Sequence, residues 1–447
     1  MATIYVSSVD GNDADNGSTW DLANATIAGG LTDATDATNI IYVDSAHAET
    51  PGSAITWNTG NTGRKTAIIS VNRTTGVWEV GAKASCQVSG GAFNIMNTSY
   101  TQAMYLWGIT MESTTGASSG STLVIGNTSS SVNLYAEFVN CTLSNPGTGD
   151  VYIGVGTFNS QKPMSNFIFR DCTFKLKDST SNAGIKMVAG KVQFYNMTVA
   201  YNGANKPSVL FNHSAPAIVE VADSDLTGFN ANNYISAVGS SEMVLRNCKL
   251  HATPGIVGGT FTGSGSVTVI NCDSGDTKTV FEYRNLYGTI TESTSIYADD
   301  GAKFDGAGIS WEIVTTADCN DYTPFITPWL HRWSDDTAQI TVEFKVVHDS
   351  LTGLNDQNLW SNIEYVSDAS FPKGTLVQNR NELPFEAGGV DWDLDSTVWT
   401  GTGGFTDENL QKISNTFTPA EKSLIRGRLF VGIASKTFYL DPLLRIA

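Results

Sequence analysis

An internal repeat in the middle of the chain constrains its fold more than any other feature. Six segments share an apolar run, then Asn or Asp, then a small or sulfur-containing residue, often followed closely by another apolar residue. The Asn or Asp positions are 24 to 31 residues apart, and they are Asn140, Asp171, Asn196, Asp223, Asn247 and Asn271. A repeat of this length built from strands indicates one supersecondary unit per repeat, with each unit stacked on its neighbours.

A right-handed parallel β-helix fits this repeat best. Leucine-rich repeats need a regular leucine pattern, and propeller blades need roughly 40–50 residues each. In a β-helix each repeat is one coil of short strands, and the coils stack at about 4.8 Å. Asn at a sharp corner tolerates the left-handed backbone, and its amide can bond to the corner on the next coil. We therefore predict that the six residues form a structural ladder, with residues 106–109 as an earlier, degenerate copy.

The position after each corner predicts the interior of the coils. It is mostly occupied by cysteine, with methionine and serine in two repeats: Cys141, Cys172, Met197, Ser224, Cys248 and Cys272. No histidine shares the position, and the chain has no C-x-x-C pair. We therefore favour a buried core stack of small apolar thiols over a metal or redox site, and we expect neither a metal nor a cofactor.

The sequence changes character near residues 318–328, where two prolines and several turn-forming residues occur together and after which the repeat is absent. This change predicts a domain boundary. The later strands alternate with period two and are separated by longer loops, as in an antiparallel sandwich. The predicted organisation is an N-terminal cap (1–50), a parallel β-helix (51–317) and a C-terminal jelly-roll or Ig-like β-sandwich (318–447). Short helices are predicted only at residues 22–31 and 406–413 in this otherwise all-β chain.

Charge excludes one class of partner. The chain has 26 Lys and Arg against 44 Asp and Glu, a net charge of −18, which disfavours a phosphate backbone, so we expect no nucleic acid partner. No segment has the ~18–20 apolar residues of a membrane span, so we expect no membrane association. The N-terminus begins as a strand without the features of a signal peptide, and we expect synthesis inside a cell or export by another route.

Catalytic candidates are few. A glycosidase needs two carboxylates about 5–9.5 Å apart. Asp171 and Asp223 share the ladder position two coils apart and are therefore the best candidates for such a pair. A structural role explains them more simply, with Asp in place of Asn at a corner. Arg170 and Arg246 each precede a ladder residue, but no acidic cluster accompanies them as a pectate-lyase-like calcium site would require. Residues 10–17 predict an Asx-capped turn before a short helix, because they lack the final glutamate of a calcium loop.

Tryptophans are concentrated in the C-terminal part of the chain. They predict either a carbohydrate-binding face, a subunit interface or ordinary sandwich core. The residues concerned are Trp329, Trp333, Trp360, Trp392 and Trp399.

Both ends of the chain resemble known proteins. Residues 3–20, 25–28 and 40–50 resemble the N-terminal cap of pectate-lyase-like β-helix proteins, and more narrowly a family of bacteriophage virion structural proteins. The C-terminal segments W-L-H-R-W, I-T-V-E-F, F-T-P-A-E-K and Y-L-D-P resemble the ending of the same family. The resemblance implies a place on the surface of a phage particle and marks no catalytic residues.

From this resemblance we expect a non-enzymatic capsid decoration or head-associated protein, assembled as a homotrimer by analogy with other phage β-helices. Its partners would be other virion proteins, above all the major capsid protein. The first alternative is a tailspike that binds or cleaves a polysaccharide of the host surface. The second is a free polysaccharide lyase or hydrolase.

Overall fold

The computed structural model describes most of the N-terminal 60% of the chain and separate strands of the remainder. The described residues are 2–60, 63–97, 100–114, 120–126, 134–147, 151–155, 165–180, 183–188, 190–214, 217–230, 233–238, 242–252, 255–257, 266–274, 277–285, 288–293, 310–316, 324–326, 330–334, 340–348, 359–367, 397–399, 408–417, 423–431, 434–440 and 445–446. The chain divides into two compact units, Met1–Thr260 with Cys272–Lys278, and Phe261–Asn271 with Thr279–Ala447.

The first unit consists almost entirely of short strands. In chain order they are β1 (Ala2–Val6), β2 (Thr38–Asp44), β3 (Ala48–Glu49), β4 (Ile55–Trp57), β5 (Lys65–Val71), β6 (Ala84–Val88), β7 (Phe93–Ile95), β8 (Gln102–Trp107), β9 (Ile109–Ser113), β10 (Gly120–Ile125), β11 (Leu134–Val139), β12 (Thr142–Ser144), β13 (Val151–Val155), β14 (Asn166–Arg170), β15 (Thr173–Leu176), β16 (Ala183–Met187), β17 (Lys191–Tyr195), β18 (Thr198–Tyr201), β19 (Val209–Ser214), β20 (Ile218–Ala222), β21 (Asn233–Val238), β22 (Glu242–Arg246), β23 (Lys249–Leu250) and β24 (Gly255–Val257).

Successive strands belong in turn to three parallel sheets, which is the arrangement of a parallel β-helix. Sheet 1 contains β1, β2, β5, β8, β11, β14, β17, β20 and β22 in that order. Sheet 2 contains β4, β7, β10, β13, β16, β19, β21 and β24. Sheet 3 contains β3, β6, β9, β12, β15 and β18, and single bridges through Asp225 continue it to β23.

The six predicted ladder residues share one backbone conformation. Their φ angles lie between 51° and 54°, the left-handed region that Asn and Asp tolerate better than other side chains. Gly108, in the degenerate copy, has a φ of 68° at the equivalent position after β8. From Gly108 to Asp223, each corner N–H donates to the last carbonyl of the next sheet 1 strand, at 2.9–3.1 Å. Each corner thus turns the chain from sheet 1 into sheet 3.

Apolar side chains fill the inside of the coils, because alternate residues of each strand point inward. On sheet 1 the inward rings of Phe138, Phe169 and Phe194 are stacked on successive strands. Centroid separations are 4.8 Å and 5.1 Å, and all three side chains are completely buried. Burial of this continuous core is the main stabilising contribution to the stack.

The N-terminal cap contains the helical residues of the first unit. A 3₁₀-helix spans Trp20–Leu22, and α1 spans Ile27–Asp33, so the helix predicted at residues 22–31 begins later than expected. Thr26 caps α1, because its hydroxyl accepts the N–H of Gly29 at 2.9 Å. The loop at residues 10–17 contains Asx turns, in which the side chains of Asn12 and Asn16 accept the N–H two residues later.

The second unit is antiparallel. Its strands follow β25 (Ser266–Ser274), which spans the division between the units. They are β26 (Thr277–Asn285), β27 (Gly288–Ser293), β28 (Ser310–Thr315), β29 (Pro324–Ile326), β30 (Leu330–Ser334), β31 (Ile340–His348), β32 (Leu359–Ser367), β33 (Thr397–Trp399), β34 (Glu408–Phe417), β35 (Ser423–Val431), β36 (Thr437–Leu440) and β37 (Arg445–Ile446). One sheet pairs β26 with β27, β27 with β28, β28 with β36, β36 with β31, and β31 with β34 and β37. The other has β35 at its centre, paired with β29, β30 and β32.

The predicted fold class is confirmed: the chain is all-β, with a parallel β-helix followed by an antiparallel C-terminal part. The helix predicted at residues 406–413 is wrong, because its described residues lie in β34. This strand pairs with β31 on one side and β33 on the other, and these non-local hydrogen bonds override the local helical preference. None of the helices in the described part of the chain has the length and hydropathy of a membrane span. The domain limits 1–50, 51–317 and 318–447 remain a proposal.

Candidate functional site

The outer face of sheet 1 carries aligned rows of polar and aromatic side chains. Inward and outward residues alternate along each strand, so parallel pairing in register places outward residues of successive strands beside one another. Row A, from β8 to β22, is Tyr105, Glu137, Ile168, Gln193, Glu220 and Val244. Row B is Trp107, Val139, Arg170, Tyr195, Ala222 and Arg246. Neighbours within a row are about 4.8 Å apart.

The first charged group on this face joins β11 to β14. The Nε of Arg170 donates to Oε1 of Glu137 at 2.9 Å, and the hydroxyl of Tyr135 donates to the other oxygen of Glu137 at 3.0 Å. The guanidinium carbon of Arg170 also lies 4.6 Å from the ring centre of Tyr195 on β17, a cation–π distance. Burial, followed by the charge of Glu137, raises the pKa of Tyr135 to about 12, so its hydroxyl stays protonated and donates.

The second charged group is centred on Glu220 of β20. Its carboxylate accepts Nη2 of Arg246 at 3.1 Å, the hydroxyl of Tyr195 at 3.1 Å and Nε2 of Gln193 at 3.1 Å. Burial opposes ionisation of Glu220, but hydrogen bonds from these three side chains outweigh it and lower the pKa of the carboxyl group. Burial and the Glu220 charge raise the pKa of Tyr195 to about 12.

Aromatic rings continue row B toward the N-terminus. Tyr5, Tyr42 and Trp107 lie in the same row, with Ile69 between the last two. Trp20 contacts the ring of Tyr5 at 4.7 Å between centroids.

A hairpin between β5 and β6 places Trp78 against Trp107, with centroids 5.4 Å apart, and the Nε1 of Trp107 donates to the Glu79 carbonyl at 2.8 Å. The side chains at the tip of this hairpin are exposed: Val77 by 62%, Trp78 by 43% and Val80 by 61%. The face therefore has an aromatic end near the N-terminus and a charged, hydrogen-bonded end along β11 to β22.

This face offers hydrogen bonds and ring contacts to a ligand. Glu137 and Glu220 are three strands apart, about 14 Å, which is beyond the about 9.5 Å limit for the carboxylate pair of a glycosidase. Each carboxylate is also held in an ion pair with an arginine. The raised pKa of Tyr195 keeps it a phenol at neutral pH, which makes it a hydrogen-bond donor and a poor base.

The two predicted catalytic candidates lie at exposed corners. Asp171 accepts Nδ2 of Asn196 at 2.6 Å, and Asp223 accepts Nδ2 of Asn247 at 2.9 Å. The two aspartates are two coils apart, about 10 Å, and the amide of Asn196 lies between them. Each carboxylate therefore serves as the acceptor for the corner amide on the next coil, and we propose this structural role for both.

The residues after the corners point into the coils. Cys141, Cys172, Met197, Cys248 and Cys272 are all buried, and the described cysteines are all free thiols. Burial raises the pKa of Cys172, and the neighbouring Cys272 thiol, followed by burial, raises that of Cys248. Burial opposes ionisation of Cys141, but hydrogen bonds from the Cys172 thiol and from the backbone outweigh it and lower its pKa. All of these thiols are enclosed, and enclosed thiols are poor nucleophiles and poor metal ligands. In the described ranges no three His, Cys, Asp or Glu side chains are grouped as metal ligands.

The predicted interface tryptophans have side chains that lie outside the described part of the structure. Trp333, Trp360 and Trp399 belong to β30, β32 and β33, and their side chains are outside the described part of the structure. Trp329 and Trp392 lie outside the described residues altogether.

Sequence reasoning missed most of the outer face of sheet 1. One signal was present, because Arg170 and Arg246 occupy the same position before a corner. Counting back from the corners by one and three residues finds rows B and A, including Tyr195, Gln193 and Glu220. The expected signal was a cluster of acidic residues at one position of the repeat. In the structure each glutamate of row A instead pairs diagonally with an arginine of row B.

Comparison with known proteins finds matches among solved structures of phage tailspikes. No protein-family model and no curated protein matches this chain. Among solved structures, the enzymatically active domain of tailspike protein 4 from bacteriophage CBA120 matches with 11% identity and a TM-score of 0.23. The match covers 92% of this chain, which spans only 64% of the CBA120 structure. The tailspike protein of Acinetobacter phage vB_ApiP_P1 matches with 10% identity and a TM-score of 0.26, over 92% of this chain and 81% of that one.

These matches correct the expected function. A non-enzymatic capsid decoration or head-associated protein was expected, but both solved structures are tailspike proteins, which favours the tailspike alternative instead. The resemblance to bacteriophage proteins with a parallel β-helix agrees with both matches.

Proposed function

We propose that this chain is a tailspike-like, receptor-binding component of a bacteriophage particle, and that the outer face of sheet 1 recognises a polysaccharide of the host surface. The observation that carries the proposal is the alignment of rows A and B across consecutive coils. A regular row of binding groups at about 4.8 Å suits an extended polymer of repeated units better than a compact ligand.

The side chains of the face suit a sugar. Tyr and Trp present an apolar ring for the C–H faces of a pyranose, with a polar group at the edge. Tyr42, Trp107 and Tyr195 are each partly exposed in row B. Arg170 and Arg246 beside them supply donors for sugar hydroxyls, and Glu137 and Glu220 fix the orientation of those donors. The bulk charge of −18 disfavours a nucleic acid on the same face.

A homotrimer on the virion surface is part of this proposal. Phage β-helix shafts assemble by symmetry about their long axis, and a trimer would repeat each sheet 1 face three times. Repetition of a weak site raises the overall avidity for a polymer that presents many copies of its unit. Light scattering of the purified chain measures the oligomeric state directly, and a monomer would remove this part of the proposal.

Affinity electrophoresis tests the binding proposal. Surface polysaccharides extracted from a panel of bacteria are cast into native gels, and retardation of the protein is measured. We expect at least one polymer to retard the wild-type chain, and we expect Trp107→Ala and Tyr195→Ala to lose that retardation. Tyr201→Ala is the matched control, because Tyr201 is a partly exposed tyrosine on sheet 3. Equal loss in the control, or no retardation by any polymer, contradicts the proposal.

Cleavage is tested separately from binding. A drop of purified protein on a lawn of a binding strain gives a clear halo if the polymer is depolymerised. We expect binding without a halo from the described face, because Glu137 and Glu220 are too far apart and are both ion-paired. A halo that is lost in Glu220→Gln, with the fold intact, would show that the face is a catalytic centre.

A further inference from the structure

We infer that the polysaccharide recognised by sheet 1 is uncharged, an inference that rests on the proposed function and names its ligand class. The charges of the face are arranged in pairs. Glu137 bonds to Arg170 one strand on, and Glu220 bonds to Arg246 one strand on. Both pairs run diagonally from row A to row B, so the same neutral unit occurs twice, three strands apart.

Each arginine already has a carboxylate partner on this face. Arg170 has Glu137 at its Nε and the ring of Tyr195 against its plane. Arg246 donates to Glu220, and this hydrogen bond raises the pKa of the guanidinium. A carboxylate of an acidic sugar would have to share the guanidinium with the glutamate already bonded to it, and the two like charges competing for one cation repel each other, which is costly.

Hydroxyl groups face no such competition. A neutral sugar can donate to the remaining lone pairs of Glu137 or Glu220 and can accept from the outer N–H groups of the arginines, without breaking either ion pair. Lys191, on β17 beside these rows, is mostly buried, and burial lowers the pKa of its ammonium group. The chain as a whole carries −18, which repels a polyanion at long range.

Chemical modification of the bound polymer tests this inference. Every extracted polysaccharide that retards the wild-type chain is tested again after its carboxyl groups have been reduced to alcohols. We expect the dissociation constant to change by less than about twofold, whereas a ligand carboxylate on either arginine would cost about tenfold or more when reduced. A loss of that size overturns the inference and leaves the proposed function intact. Absence of binding to every polymer overturns both.

Removing one glutamate provides the converse test with a known probe. Alginate, a polymer of uronic acids, is expected to leave the wild-type chain unretarded. In Glu220→Gln the positive charge of Arg246 is no longer compensated, and we expect retardation by alginate that disappears at high salt.

Glu112→Gln on sheet 3 removes the same negative charge without exposing an arginine of this face and is expected to behave as the wild type. Thermal unfolding confirms that both variants are folded. Retardation of the wild type by alginate, or equal gain in the two variants, contradicts the inference.

Discussion

The stacked phenylalanines inside sheet 1 give the sharpest test of how the coils are held together. Phe169 is completely buried and has a ring on each side of it, with Phe138 at 4.8 Å and Phe194 at 5.1 Å. A third ring, Phe174, meets its edge at 5.3 Å. Replacing Phe169 by alanine therefore removes one side chain from three aromatic contacts and leaves a cavity that rigid coils on both sides cannot close.

The expected cost is at the upper end of the range for such a substitution. Truncating a buried phenylalanine to alanine costs about 3–5 kcal/mol of folding stability. Each aromatic contact that is lost adds to the cost of the lost apolar burial. We expect about 5 kcal/mol for Phe169→Ala. For a unit of this size each kcal/mol shifts the melting temperature by about 2 °C, so the shift is about 10 °C downward.

Circular dichroism at a fixed scan rate measures this shift, because unfolding of large β-proteins is often irreversible. Phe169→Leu, which retains most of the volume, is expected to cost about 1–2 kcal/mol. Val9→Ala, at a side chain that is 67% exposed, is expected to stay within about 0.5 kcal/mol of the wild type. A melting temperature for Phe169→Ala that matches Val9→Ala would refute a core built on stacked rings.

Three further predictions concern the corners, the Glu220 group and the thiols. At Asn247, with φ of 54°, alanine is expected to cost about 2 kcal/mol. Glycine is expected to cost less, because it adopts the left-handed backbone without strain and loses side-chain interactions such as the bond to Asp223. Equal melting temperatures for the two variants would contradict the left-handed corner. Because the pKa of Glu220 is lowered in the folded chain, its contribution to folding stability is complete above the ordinary value of 4.5 and is lost as the pH falls below it. The difference in melting temperature between the wild type and Glu220→Gln should therefore shrink in acid. A difference that stays constant with pH would argue against the ion pair. Ellman's reagent should titrate at most one thiol per native chain, Cys319, because the five described cysteines are buried. All six thiols should react after denaturation. Rapid titration of more than one thiol in the native chain would contradict the enclosed stack.

The coil pattern could be predicted from sequence because one backbone conformation recurs in it. A left-handed corner favours Asn, Asp or Gly, so positions such as Asn140 and Asp171 stand out against an apolar background. The first coils lack this signal. The strand β5 is followed by the hairpin that carries Trp78, and the strand β2 leads into Ser45, so neither has an Asn corner to mark it.

The outer face was harder to predict because its partners are far apart in sequence. Glu220 pairs with Arg246 and with Tyr195, which are 26 and 25 residues away, and the repeat length varies between coils. Counting back from the corners places these residues in rows, but the diagonal bonds between the rows are seen only in the structure. The helix expected at residues 406–413 failed for a related reason, since pairing of β34 with β31 and β33 is decided by strands distant in the chain.

Hydrogen–deuterium exchange with and without a retarding polysaccharide tests the central claim most directly, because it reports where the polymer lies on the chain as it exists. The account predicts added protection in peptides that contain β8, β11, β14, β17 and β20, together with the hairpin that carries Trp78, and no change along sheets 2 and 3. Protection confined to sheet 2 or sheet 3, or to the C-terminal unit, would contradict a binding face on sheet 1.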